Sequence, residues 1–324
     1  MAQRIGQQPP KLLVAVRFCP GAFLKICRFP ACRQAGIPAR RSKSELRVKS
    51  RKELNKGGMK NNTMEIDTFQ KSLLKHTEDF RKVLATSSGD WSVKGFIDVA
   101  KNIYTISVDT KVVSKIIELM MFPVLQKFAK ENDFEMIFCA EQNHYPDVTF
   151  ITKNKQKIAL DLKSTYRKNH DVVSGFTLGA FTGYFRFRDS KKNITFPYKK
   201  YSKHYILGVI YTQQEDLVDE NRVYTIDDLE EILSVVKDFD FIVQEKYNIA
   251  KDRPGSGNTK NIGSCVKITE LKDGTGPFSK LGVKIFDDFW IHYMTLEMSR
   301  SAKLRKPPYT NLKEYLKYRN IKNV

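Results

Sequence analysis

The chain has 324 residues, with 56 Lys and Arg against 36 Asp and Glu, giving a formal charge of +20. No apolar run approaches the ~18 residues of a membrane span, and five scattered Cys do not make a disulfide framework. The composition is that of a globular chain, and a pI near 9.6 points to a polyanionic partner, nucleic acid first and an anionic membrane surface second.

The charge is uneven. Residues 1–58 carry 14 Lys or Arg and only two acids, Glu45 and Glu53, so this segment holds twelve of the twenty charges. It shows neither helical nor strand periodicity. Cys19, Cys27 and Cys32 lie within it without a CxxC pair or a neighbouring His, so a zinc site is not expected. Three readings stand: a basic arm binding nucleic acid non-specifically, an organellar transit peptide, or upstream DNA read as protein ahead of a start at Met59 or Met64. The abrupt change of texture at Met59 favours the third. The expected organisation is a basic, disordered or extraneous leader over 1–58 and one folded domain over 59–324.

From there the pattern reads as ordered protein. Phe69 to Leu84 has a helical apolar face of Leu73, Leu74, Phe80 and Val83. Phe96 to Val99 and Ile103 to Val108 are strand-like. Asp109 or Thr110 caps a helix whose apolar stripe is Val113, Ile116, Ile117 and Met120. Pro123 is expected to kink or interrupt it. Lys111, Ser114, Lys115 and Glu118 form its polar stripe.

Asp147 to Thr152 and Lys157 to Ser164 read as two strands joined by the turn Lys153-Asn154-Lys155-Gln156. Ile206 to Tyr211 and Asp240 to Val243 are further strands. Ile226 to Val236 reads as helix. So does Lys284 to Met298, with Phe286, Phe289, Trp290 and Tyr293 on one face and Pro307-Pro308 as a later stop. The mixture lacks strict βαβ alternation, so the fold class is α/β with a mixed central sheet flanked by helices.

The chemistry candidate is Pro146-Asp147 followed by Asp161-Leu162-Lys163. In a strand, Ile158, Leu160 and Leu162 face a core while Asp161 and Lys163 share the other face. Hairpin pairing brings Asp147 beside Asp161. Two carboxylates at a strand end suit a hard cation such as Mg²⁺. An adjacent Lys suits a phosphoryl transition state. Taken alone, the D-x-K spacing favours an exposed same-face ion pair on a half-buried sheet, because short motifs match by accident.

Gly255 to Ser264 is a loop of small and amide residues, lacking the spacing of a Rossmann turn or a P-loop. It suits close backbone approach and base-edge hydrogen bonds, or a plain surface loop. Phe185-Arg186-Phe187-Arg188, Lys191-Lys192 and Tyr198-Lys199-Lys200-Tyr201-Ser202-Lys203 interleave aromatics with cations, as a phosphate-contacting surface or a solvated face would.

Order and wording together are specific. Gln142-Asn143-His144-Tyr145-Pro146-Asp147, Ile158 to Tyr166, Phe176-Thr177-Leu178-Gly179 and Gly255 to Ser264 closely resemble the EcoRV family of type II restriction endonucleases, within the PD-(D/E)xK nuclease superfamily. Asp109-Thr110-Lys111-Val112 with Glu118-Leu119 resembles that family's early helix. The resemblance runs from about Met64 to the C-terminus and leaves out residues 1–58.

The resemblance implies a restriction-endonuclease-like fold with a small dimerisation subdomain, and a homodimer holding duplex DNA in its cleft. It implies Asp147, Asp161 and Glu118 as metal-binding carboxylates and Lys163 as the catalytic lysine, with Mg²⁺ as cofactor and Mn²⁺ as a substitute. Gly255, Ser256, Gly257, Asn258, Thr259, Lys260 and Asn261 match the major-groove loop, with Lys260 where the family has Thr. Gln142 and Asn143 match the minor-groove loop, with Glu141 where the family has Gln. Lys111, Thr165 and Lys192 match other DNA contacts. The implied activity is blunt cutting of GATATC leaving 5′-phosphates, in a bacterial cytoplasm. A cognate methyltransferase is expected in the same system, without direct contact. A DNA-binding relative lacking nuclease activity, or a repair nuclease of the same superfamily, are the alternatives.

Overall fold

The structure, a computed structural model, describes residues 62–141, 143–214, 221–255 and 260–321. The chain divides into two units, Met1–Lys56 and Gly57–Val324. The first, and with it the expected leader, lies outside the described residues.

The second unit is built on a five-stranded mixed sheet in the order β3-β4-β5-β7-β9. These strands are β3 (Glu135–Phe138), β4 (Val148–Ile151), β5 (Lys157–Tyr166), β7 (Tyr201–Gln213) and β9 (Val236–Glu245). β3, β4 and β5 form an antiparallel meander. β5 then runs parallel to β7, and β9 returns antiparallel. A parallel pair needs a long crossover, and the segment between β5 and β7 supplies it.

Alternation along the strands divides the apolar residues between two cores. Ile158, Leu160, Leu162, Tyr205, Leu207 and Val209 face one core, shared with α1 (Asn62–Leu74), α2 (Thr77–Leu84) and α3 (Thr110–Glu131). Ala159, Ile206, Ile210 and Ile242 face the other. That side is covered by the short α4 (Lys246–Ile249), then α5 (Ile268–Asp273), α6 (Gly282–His292), α7 (Leu296–Ser301) and α8 (Leu312–Tyr318). Each fully buried Leu, Ile or Phe here contributes about 1.5–3 kcal/mol.

Two smaller antiparallel sheets complete the unit. One joins β1 (Gly95–Ile97), β2 (Ile103–Thr105) and β8 (Val223–Tyr224). The other joins β10 (Ala250–Pro254), β11 (Asn261–Ser264) and β6 (Thr177–Ala180).

Several expectations need correction. Phe69 to Leu84 is two helices, because the chain turns at Lys75-His76. There the Thr77 hydroxyl bonds the Leu74 carbonyl at 2.6 Å and the His76 ring reaches Asp79 and Glu131. α3 runs through Pro123 without interruption, and Asp109 caps it by accepting the Lys111 and Val112 N–H groups. Ile226 to Val235 is a series of turns and not a helix. Ile226, Leu229 and Leu233 stay exposed, so no continuous apolar face is docked to hold a helix. Lys284 to Met298 breaks at Tyr293, and Thr295 caps the new helix α7.

Candidate active site

β4 and β5 set the site. Their register pairs Val148 with Leu160, so Asp147, one residue before β4, falls opposite Asp161. There the backbone ladder gives way to a side chain, as the Leu162 N–H donates to Asp147 Oδ2 at 2.7 Å. Lys163 Nζ lies 2.7 Å from Asp161 Oδ2 and 3.6 Å from Asp147 Oδ2. It also donates to the Leu162 carbonyl at 3.0 Å.

The reading of an exposed ion pair is overturned. Asp161 is only 4% exposed, and Lys163 is half-buried. Burial first, and the Asp161 charge second, push the Asp147 carboxyl up to about 7, against the pull of Lys163 and the Leu162 N–H. Burial works against the Lys163 ammonium too. The Asp161 and Asp147 carboxylates outweigh it and hold the lysine above its ordinary range.

Asp147, Asp161 and Lys163 line one open cleft of 330 Å³, together with Asn143, His144, Tyr145, Thr177, Gly179 and Tyr184. Two carboxylates and a lysine on the wall of an open groove can hold a hard cation and meet a phosphodiester. Asn143 from the expected minor-groove segment sits at the edge of this cleft, while Gln142 lies outside the described residues.

Glu118 is not brought into the same donor set. α3 covers the opposite face of the sheet, and Glu118 pairs there with Lys115 at 2.7 Å. It borders a separate 50 Å³ cavity beside Leu162, Lys163 and Ser164. Among the described residues, no group of three or more His, Cys, Asp or Glu is arranged to hold a metal ion.

Of the expected recognition loop, Ser256, Gly257, Asn258 and Thr259 lie outside the described residues. Its base is described. β10 and β11 converge so closely that a Cβ on Gly263 would lie 2.7 Å from Gly255 Cα. The Gly255 N–H donates to the Asn261 carbonyl, and Lys260 is exposed next to them. Lys111 is exposed at the start of α3, Lys192 is exposed, and Thr165 is buried on β5.

The basic segment from Phe185 turns largely inward. Arg188 pairs with Asp287 and lies over the rings of Phe185 and Tyr198. Arg186 donates to the Tyr293 carbonyl, Lys199 pairs with Asp189, and Lys203 pairs with Glu245. Lys191, Lys192, Lys199 and Lys200 are the cations of this stretch that stay exposed.

The sequence profile described as restriction endonuclease EcoRV matches residues 87–320. The chain belongs to the EcoRV restriction endonuclease family. It is 34% identical over 240 residues to the type II restriction enzyme EcoRV of Escherichia coli, covering 73% of this chain and 94% of that enzyme. The NlaIV restriction endonuclease structure matches with a TM-score of 0.36 and 13% identity, over 76% of this chain and 95% of that one. Membership makes the chain a type II restriction enzyme, a site-specific deoxyribonuclease whose substrate is DNA. No helix among the described residues is long and apolar enough to cross a membrane.

Reasoning from sequence missed Tyr184 and Lys246. Tyr184 carries no motif, and Lys246 stands among Gln244, Glu245, Tyr247 and Asn248, where a lysine reads as solvated.

Proposed function

We propose that the enzyme cuts duplex DNA bluntly at the centre of GATATC, leaving 5′-phosphate ends, in a Mg²⁺-dependent reaction that Mn²⁺ also supports. The convergence of Asp147, Asp161 and Lys163 on one open cleft carries this reading.

The residues present fit a hard divalent cation. Asp147 and Asp161 are both oxygen donors, they crowd one another, and burial leaves Asp147 with a raised pKa that a nearby positive ion would relieve. Asp147 and Asp161 would hold the ion. When bound, it neutralises phosphate charge and makes water a better nucleophile. Lys163 directs its ammonium toward the phosphoryl oxygens and stabilises the charge that builds there as water attacks in line and the 3′ oxygen leaves. The Leu162 N–H and the Lys163 ammonium keep the Asp147 carboxylate aimed into the cleft. Glu118 assists from the far side of the sheet through its charge.

The Gly255–Asn261 segment reads the outer base pairs from the major groove, Gln142 and Asn143 follow the minor groove, and the exposed Lys111 and Lys192 contact the DNA in support. The central TA step is selected by its ease of bending. A palindrome calls for a twofold dimer in which each subunit cuts one strand. The exposed row Phe96, Tyr104 and Val223 across β1, β2 and β8 supports that dimer, since the three pair side by side and remain about half exposed. A methyltransferase of the same specificity would protect the host DNA in the cytoplasm of a bacterium.

The test is digestion of a plasmid with Mg²⁺, followed by sequencing of the ends. Blunt ends within GATATC support the reading, and staggered ends or another sequence refute that specificity. Asp161→Ala should bind DNA without cutting it, and continued cutting would refute the site.

A further inference from the structure

Lys246, at the start of α4, is a charged side chain only 1% exposed, and its Nζ has no hydrogen-bond partner among the described residues. A buried, unpaired ammonium is costly and needs a reason. Its surroundings supply one. Nζ lies 5.0 Å from the centre of the Tyr145 ring and 5.7 Å from that of Phe185. A Cβ added to Gly179 would lie 3.5 Å from Nζ and 3.3 Å from the Tyr184 hydroxyl. Tyr145, Gly179 and Tyr184 are all walls of the active-site cleft. The ammonium therefore stands directly behind that wall.

The wall is itself a stack. Tyr145 and Tyr184 lie face to face with centroids 5.2 Å apart, and Tyr145 bonds His204 Nδ1 at 2.7 Å. We propose that Lys246 is a positioning residue for DNA cleavage: its ammonium, held by the Tyr145 and Phe185 rings behind Gly179, fixes the Tyr145–Tyr184 wall and supplies positive charge to the phosphodiester on the other side. The inference rests on the proposed cleavage site at Asp147, Asp161 and Lys163. Cation–π contact substitutes for a carboxylate partner, so the charge is not cancelled locally. In a water-poor site an uncancelled charge acts strongly across a few ångströms.

Burial pushes the Lys246 ammonium down to about 8, with Asp161 and Asp287 opposing the shift and Lys163 and Arg188 adding to it. Burial holds His204 neutral and holds the Tyr145, Tyr184 and Tyr198 phenols protonated. Lys203 and Glu245 pair with each other.

The experiment compares wild type, Lys246→Met, Lys246→Arg and Asp161→Ala in single-turnover cleavage of a duplex with Mg²⁺. Lys246→Met should bind DNA as wild type does, melt no lower, and cut about tenfold or more slowly. Lys246→Arg should recover part of the loss. The ratio of wild-type to Lys246→Met rates should fall as pH rises through about 8. Wild-type cutting by Lys246→Met overturns the inference, as does a pH-independent loss accompanied by a lower melting temperature. Cutting by Asp161→Ala overturns instead the site on which the inference rests. A measurement on the unmodified protein covers a variant that does not fold. The Lys246 Nζ resonance is titrated with and without the same duplex, with Ca²⁺ in place of Mg²⁺. The duplex should raise its midpoint, and an unchanged midpoint overturns the inference.

Discussion

Asp147 Oδ2 accepts the Leu162 N–H at 2.7 Å, so a carboxylate of the proposed cleavage site also closes the β4–β5 ladder. Asp147→Asn keeps an acceptor oxygen and removes a charge crowded by Asp161. The variant should fold and melt no lower than wild type, yet cut DNA slower by roughly a thousandfold or more. Plasmid cleavage and thermal denaturation check the two halves. Cleavage within about tenfold of wild type would remove Asp147 from the mechanism.

This relationship was partly legible in the sequence. Strand alternation put Asp161 and Lys163 on one face, and the four-residue turn at Lys153 put Asp147 opposite Asp161. Burial was not legible, since Tyr184 and the β6 residues Thr177 and Gly179, which line the same cleft, come from the crossover between β5 and β7. The split of Lys284 to Met298 was hidden for a similar reason, because the aromatic face continues across the break at Tyr293. Lys246 could not be read at all. A lysine in sequence is presumed solvated, and only the fold encloses it.

The three-helix side of the sheet depends on an aromatic cluster. Phe128 is fully buried and meets Phe69, Phe134 and Phe150 edge-on at centroid distances of 5.4, 5.8 and 5.5 Å. Phe128→Ala should lower unfolding free energy by about 3–5 kcal/mol. Urea denaturation measures this, and a loss under about 1 kcal/mol would mean that the cavity collapses freely.

Asp240 joins β9 to two cations, Arg167 at 2.8 Å and Lys272 at 3.0 Å. Burial works against its charge, but Lys272 and Arg167 outweigh it and hold the carboxyl below its ordinary value of 3.8. A lowered folded-state pKa gives stability that is complete above the unfolded value and is lost as pH falls through the folded one. Asp240→Asn should therefore be less stable than wild type at neutral pH, by about 1 kcal/mol after solvent screening. The gap should narrow as pH drops past 3.8. Denaturation curves at several pH values test this, and a gap that widens on acidification would contradict it.

Phe96, Tyr104 and Val223 form one exposed apolar row on a sheet of three short strands. If this face joins two subunits, Phe96→Lys places a charge in the seam and should shift the protein toward monomer. Sedimentation at micromolar concentration shows the change. Cleavage of both strands should fall with it, because a palindrome needs two sites held together. A dimer unaffected by the substitution would place the interface elsewhere.

Gly263 and Gly255 meet backbone to backbone at the base of the proposed recognition loop. A methyl group on Gly263 would approach Gly255 Cα to 2.7 Å and its nitrogen to 3.1 Å, both rigid atoms of the main chain. No side-chain rotation relieves that contact, so β10 and β11 must separate where the loop leaves the sheet. Gly263→Ala should cost about 1–3 kcal/mol of stability, as overpacking elsewhere does. It should also reorient the loop and weaken binding of the cognate duplex more than binding of random duplex. Fluorescence anisotropy on both duplexes separates these effects. An equal loss on the two would show that the hairpin base governs stability alone, whereas a selective loss ties the glycine pair to sequence readout, because phosphate contacts are the same on either duplex.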